Sequence, residues 1–183
     1  MKIFMVRHGQ TDSNTAKRIM GQRIDESLNE EGKRQSEGLA KGIQDMTFDV
    51  IFSSPLKRAA ETAGILGRER EAQIVHRDEL KERDFGSLSG MTWAEAVAVA
   101  KRDLEEFRMN DRGQKYDYRP WGGESAEDVK KRLLDFVGEI KKEYAGKSVL
   151  IVAHSGIVRL AHHLFRKQRV EQIHNASIEE FEI

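Results

Sequence analysis

The sequence predicts an α/β fold: an open, mostly parallel central sheet with helices on both faces, in a single domain. Two apolar runs, Ile3 to Val6 near the start and Val149 to Val152 near the end, have the composition of strands buried on both faces. A third run, Val50-Ile51-Phe52, lies between them. Each is followed by a turn and a helical pattern, the alternation that builds a parallel sheet with helices packed on it. At 183 residues the chain fits one domain around one core.

Taken in order, the elements carry local signals. Asn29 is placed to cap a helix that carries Leu39 and Ile43, although the glycines of that stretch weaken it. After Phe52, Ser54 is suited to cap a helix and Pro55 to fill its first turn, with the helix running through Arg58 to about Leu66. Thr92 with Glu95 and Ser125 with Asp128 read as capping boxes. The second box opens an amphipathic stretch with Val129, Leu133, Phe136, Val137 and Ile140 on one face. Asp103 to Gly123 is the least regular segment, and residues 91–123 are expected to form a variable excursion that covers the substrate, a candidate lid. Ile178, Phe181 and Ile183 predict a last strand with a broken alternation. There is no internal repeat, low-complexity tract or linker.

Composition excludes several functional classes. Lysine plus arginine, 31, equals aspartate plus glutamate, 31, so no global field draws the chain to nucleic acid or anionic lipid, and anion recognition has to be local. The absence of cysteine removes a disulfide framework, a thiolate metal site and a cysteine nucleophile together. The apolar run at the N-terminus meets Arg7 too soon for a signal peptide or a spanning helix. The expectation is a cytoplasmic protein without nucleic-acid or membrane partners, as a monomer or a homodimer.

Ligands of open α/β sheets bind beyond the carboxyl ends of parallel strands. Here the first strand ends in Arg7-His8-Gly9-Gln10-Thr11 and the last long apolar run in Ala153-His154-Ser155-Gly156, so each delivers a histidine to that edge. Neighbouring strands lie roughly 4.8 Å apart, close enough for both imidazoles to line one pocket. Arg58 adds a cation from the helix after the third run, and the Ser155-Gly156 turn can present backbone N–H groups. Two histidines flanked by two arginines make a poor metal site, because the arginines repel the metal charge. They suit a phosphoryl group: neutral imidazole is a nucleophile, arginine binds phosphate oxygens, and stabilising the charge of the transferring group is most of the catalysis. These residues alone leave the acid for the leaving oxygen unidentified.

The ordered segments Val6 to Thr11, Asn14, Ser53 to Ala59 with Glu61-Thr62, Leu80 to Gly86, Gly122 to Ser125 and Ala153 to Gly156 together resemble the histidine phosphatase superfamily, the phosphoglycerate mutase-like enzymes, over nearly the whole chain. The resemblance implies that His8 is the phosphorylated nucleophile and that Arg7, Arg58 and His154 bind the phosphate. Asn14 and the amide of Ser155 would assist, and Glu82 would be the missing proton donor. No cofactor and no metal is implied. A bound phosphate dianion would favour a protonated Glu82, which could later act as base toward water.

Other residues carry weaker readings. Gln22 is a candidate substrate contact, although glutamine beside glycine is also ordinary loop chemistry. Glu124 reads first as structural, ahead of the cap at Ser125. His162 and His163 adjoin on a helix, where neighbours point about 100° apart and cannot share a metal, so they read as structural. Trp93 and Trp121 could wall a pocket or simply pack.

The superfamily holds phosphatases, which transfer to water, and mutases, which transfer to another substrate oxygen. The mutases resemble longer chains with extra basic residues and an Arg-His-Tyr-Gly segment after the acid. Here that segment is Arg83-Asp84-Phe85-Gly86, and Asp84 would repel an anionic sugar acid. Arg83, Arg102, Lys115 and Arg119 look too scattered for a basic clamp. The expectation is therefore a metal-independent phosphomonoesterase acting on small phosphorylated metabolites, with a cofactor-dependent phosphoglycerate mutase as the alternative and a non-enzymatic phosphate-binding module disfavoured.

Overall fold

The apolar runs become the centre of one five-stranded sheet in the computed structural model, which describes residues 1–68, 70 and 72–183. β1 (Lys2–Arg7) lies between β4 (Ser148–Ala153), parallel to it, and β5 (Ile178–Glu182), antiparallel to it. β2 (Val50–Ser53) runs parallel to β4 on the other side, and β3 (Ile74–His76) completes the order β3-β2-β4-β1-β5.

Period-two alternation divides each strand between two apolar layers. Ile3, Met5, Phe52 and Ile151 face the layer that holds α6 (Ala126–Glu143) and α7 (Ser155–Ala161). Phe4, Val6, Ile51, Leu150 and Val152 face α3 (Lys57–Gly67), with α2 (Glu30–Gly42) packed outside it. Leu133, Phe136 and Ile140 of α6 are buried, and each such side chain stabilises the fold by about 1.5–3 kcal/mol. The architecture is the α/β fold with helices on both faces that the strand pattern predicts. Among the described residues no helix is long and apolar enough to cross a membrane.

The caps at Asn29, Thr92 and Ser125 form as read, opening α2, α4 (Trp93–Ala100) and α6. Two local expectations are corrected. Ser54 does not cap α3: Leu56 is still extended and takes the N-cap position, so the helix starts at Lys57, too far along for Ser54, and without a side-chain cap. Ser54 Oγ instead accepts the Leu56 N–H and lies 2.9 Å from His154 Nε2. The stretch read as least regular contains α5 (Leu104–Arg112), whose N-cap Asp103 accepts N–H groups of Glu105 and Glu106 at 2.9 Å. Short β3 was not anticipated. A short helix, α1 (Asp12–Thr15), follows β1.

Candidate active site

β1 and β4 end in register, Arg7 opposite Ala153, and the His8 N–H donates to the Ala153 carbonyl at 3.0 Å. This pairing brings the His8 and His154 rings to a centroid separation of 5.1 Å at 60°. His8 Nδ1 is 2.7 Å from the Gly9 carbonyl, an acceptor only, so Nδ1 carries the proton and Nε2 the lone pair. Burial, then the charges of His154, Arg58 and Arg7, holds His8 well below the usual histidine range. Burial and the nearby arginines do the same for His154, so both rings are neutral at pH 7. The Ser54 hydroxyl can donate to His154 Nε2, which leaves the proton on Nδ1, a buried atom with no partner among the described residues.

Two arginines enter from different elements. Arg58, on the first turn of α3, is 1% exposed and donates to the carbonyls of Gly21 at 2.7 Å and Ile24 at 2.9 Å. Arg7 donates to the Ile173 carbonyl. The Nε atoms of both are buried without a partner among the described residues. Burial lowers the pKa of Arg7 to about 10 and lowers that of Arg58, leaving both charged near neutrality. Thr62 locks the first loop to α3, its hydroxyl accepting the Gly9 N–H and donating to the Arg58 carbonyl.

Glu82 is buried where three segments meet. Its Oε1 accepts the N–H of Arg83 and its Oε2 that of Gly156, both at 3.0 Å, with Ser155 Oγ at 3.5 Å. Burial pushes its pKa up, but the Arg83 charge, the two N–H groups and Arg58 outweigh it, so the carboxyl ends below its ordinary value. In the free protein Glu82 is therefore a carboxylate. A clamp sets its backbone: Arg132 donates to the carbonyls of Glu79, Lys81 and Glu82 and pairs with Glu124 at 3.0 Å. Glu124 in turn accepts the Asp84 N–H at 2.8 Å and Gln22 Nε2–H at 3.0 Å. Its structural role thus bears directly on the loop that carries Glu82.

A cavity of about 470 Å³ opens on these groups, and Arg7, His8, Asn14, Arg58, Glu82 and Ser155 line it. His154 stands fully buried beside His8. Gln22 is not among the wall residues, and its amide donates to Glu124. Trp93 lines the cavity, whereas Trp121 packs near Phe107. His162 is a core residue, its ring 5.0 Å from that of Phe181.

Among the described residues the wall also carries Lys17, Arg18, Arg83, Arg108 and Arg112, five cations beyond the core pair. Of the four cations read as too scattered for a basic clamp, Arg83 does reach the wall, and it is joined there by Lys17, Arg18, Arg108 and Arg112, which the sequence reading did not consider. Arg102, Lys115 and Arg119 do stay off the wall, but the helix at 104–112 places Arg108 and Arg112 on one face at i and i+4, a spacing invisible while the segment read as irregular. Asp84 is not among the wall residues and pairs with Arg23 at 3.0 Å. Asn175, in the loop before β5, also escaped sequence reading; it contacts both Asn14 and the His8 carbonyl. Among the described residues no three His, Asp or Glu side chains come together as a metal site.

The sequence profile of the histidine phosphatase superfamily (branch 1) matches residues 3–183. The metal-independent phosphoserine phosphatase of Arabidopsis thaliana is 35% identical over 86% of this chain and 66% of its own length, so the chain spans just under two thirds of that relative. A mycobacterial glucosyl-3-phosphoglycerate phosphatase, solved with VO3, matches with a TM-score of 0.86 at 29% identity, covering 98% of this chain and 91% of that one. A phosphoglycerate mutase from Bacillus anthracis matches with a TM-score of 0.86 at 26% identity, covering 98% and 86%.

Proposed function

The chain belongs to the histidine phosphatase superfamily (branch 1), and from that membership we propose that it hydrolyses small phosphate monoesters, without a metal, through a phosphohistidine on His8. The observation that carries the proposal is the state of His8: a buried, neutral imidazole with its proton tied to Gly9, set among Arg7, Arg58 and His154, with Glu82 on the same cavity wall. The phosphatase names of the relatives support hydrolysis as the outcome.

In the first step His8 Nε2 attacks phosphorus in line and the P–O ester bond breaks. The departing oxygen takes a proton from Glu82. Charge on the three remaining oxygens meets Arg7, Arg58, His154, Asn14 and the Ser155 amide. In the second step Glu82, now a carboxylate, removes a proton from water as the water oxygen attacks phosphorus; the P–N bond breaks and phosphate leaves. Glu82 is ionised in the free protein, so its proton arrives with the substrate, whose dianion raises the carboxyl pKa by like-charge repulsion. Arginines supply the positive charge that a metallophosphatase draws from its ion. Phosphate release from p-nitrophenyl phosphate, unchanged by EDTA, is the expected result, and loss on chelation restored by a divalent ion would overturn metal independence.

A second reading, a mutase, is favoured by the five additional cations on the wall. Incubation with 3-phosphoglycerate and a trace of 2,3-bisphosphoglycerate separates the two. Phosphate release without isomerisation supports the phosphatase, and isomerisation much faster than release supports the mutase.

A further inference from the structure

Arg83 follows Glu82 in the chain and its guanidinium stands beside the acid, yet the two side chains do not pair. A Cβ added at Gly156 would overlap Glu82 Oε1 and lie 3.2 Å from Arg83 Cζ, so carboxylate and cation flank one point on α7. Among the described residues no ion pair joins them. The Glu82 oxygens take the N–H groups of Arg83 and Gly156 instead, and the Arg83 guanidinium turns to Asp111 of α5.

Arg83 Nη2 donates to Asp111 Oδ2 at 3.0 Å, and the Tyr118 hydroxyl donates to Asp111 Oδ1 at 2.6 Å. Burial holds the Tyr118 phenol well above its ordinary pKa, so it stays a donor. The guanidinium lies between the rings of Phe85 and Tyr116, 5.1 and 4.9 Å from their centroids. There its Nε and Nη1 are buried with no acceptor among the described residues, a condition that costs free energy and that a direct bond to Glu82 would relieve. The other charges that bear on Glu82 are Arg7 of β1, Arg58 of α3 and Arg159 of α7, with the Tyr116 phenol kept neutral by burial and the neutral His8 in the same cavity. Backbone carbonyls hold Arg7, Arg58 and Arg159. Arg83 is thus the cation around Glu82 whose place is set by a carboxylate.

Resting on the phosphatase reading, we propose that Asp111, seated by Tyr118, is a positioning residue that holds the Arg83 guanidinium off the Glu82 carboxylate and so keeps that carboxylate free to take up and deliver the catalytic proton. A direct pair of Arg83 with Glu82 would favour the ionised form and occupy the oxygen that has to carry the proton. Asp111 and Tyr118 both come from the excursion, so a segment that need not touch the reacting atoms conditions the acid.

The test is Asp111→Asn, which replaces the competing carboxylate by a neutral amide and frees Arg83 to pair with Glu82. Its kcat/KM should fall roughly tenfold or more for glycerol 3-phosphate, whose alkoxide needs a proton, and less than about threefold for p-nitrophenyl phosphate. Arg83→Met in the Asp111→Asn protein removes the cation but keeps the backbone N–H, and should recover most of the alkyl ester activity. A merely structural Asp111 gives equal losses for the two esters and a double variant worse than the single one; either result would overturn the proposal. Tyr118→Phe, which deletes one hydrogen bond, should show the same selective loss to a smaller degree, and decides the matter if Asp111→Asn does not fold. Independent of turnover, the Glu82 carboxyl can be titrated by carbon-13 NMR of glutamate-labelled protein in saturating sulfate, its signal assigned by absence in Glu82→Gln. The midpoint should fall by about one pH unit or more in Asp111→Asn, because a cation at hydrogen-bond distance favours the ionised carboxyl; an unmoved or raised midpoint would overturn the role of Asp111. A protein that hydrolyses nothing but shows the fall defeats the phosphatase reading and retains the positioning role; hydrolysis without the fall does the reverse.

Discussion

Asn175 donates one N–H of its side-chain amide to Oδ1 of Asn14 at 3.1 Å and the other to the carbonyl of His8 at 3.0 Å. Asn14 Oδ1 also accepts the Thr11 N–H at 3.2 Å, so its acceptor end is filled and its NH₂ is the end left for phosphate oxygens. Next to Asn175, Ala176 sits at φ 50, a left-handed conformation that costs a residue with a β-carbon roughly 1–2 kcal/mol. Its N–H donates to the carbonyl of Arg7 at 3.0 Å, which fixes this loop against the end of β1.

Asn175→Ala should therefore lower kcat/KM about tenfold, the loss expected when one or two partly buried hydrogen bonds worth about 1 kcal/mol each no longer orient a phosphate ligand. Asn175→Asp should cost more, because its carboxylate sets acceptor against acceptor at Asn14 and places negative charge beside the phosphate. Melting temperatures of the variants separate this from unfolding. Folded variants with wild-type kcat/KM would refute the positioning role.

Gly156 lies so close to Glu82 that an added Cβ would overlap the carboxylate atoms Oε1 and Cδ. Gly156→Ala should push the acid away and mimic Glu82→Gln. Both variants should lose roughly a hundredfold or more with alkyl phosphates, whose alkoxide needs a proton, and much less with p-nitrophenyl phosphate in the phosphorylation step. Equal losses in kcat/KM for the two ester types would argue that Glu82 is not the acid.

The pH dependence follows from two depressed groups. An ordinary histidine protonates and loses its lone pair as pH falls through about 6.5; burial, with His154, Arg58 and Arg7 nearby, keeps His8 neutral to well below that. On the alkaline side, Glu82 is ionised in the free protein because the Arg83 charge and backbone N–H groups outweigh its burial, so the catalytic proton enters with the monoanionic substrate. For alkyl phosphates kcat/KM should thus fall about tenfold per pH unit above the substrate's second pKa near 6. An acid limb centred on the ordinary histidine pKa, or a flat profile above neutrality, would contradict this protonation scheme.

The strand positions, the three side-chain caps and the gathering of Arg7, His8, Arg58 and His154 were legible because each rests on a local pattern: a two-sided apolar run, a capping residue at fixed spacing, a histidine directly after a strand. Glu82 was legible only through family resemblance, since nothing local marks one glutamate in a charged run as buried. Arg108, Asn175 and the His154 contact of Ser54 were not legible. Their roles depend on which distant segments meet, and Arg108 also on recognising a nine-residue helix whose acidic first turn resembles a solvated loop. Three-residue β3 is too short to show a period.

The central claim, transfer through His8, is tested most directly by trapping the intermediate. Enzyme mixed with excess p-nitrophenyl phosphate, quenched in alkali within the first turnover and digested for mass spectrometry, should carry one acid-labile phosphoryl group on the peptide containing His8. Phosphorus–nitrogen correlation by NMR should place it on Nε2, the nitrogen left free by the bond to Gly9. The label should form and decay at rates compatible with turnover, be absent from His154, and vanish in His8→Ala together with phosphate release. A label on another residue, no label under rapid turnover, or full activity in His8→Ala would contradict the account.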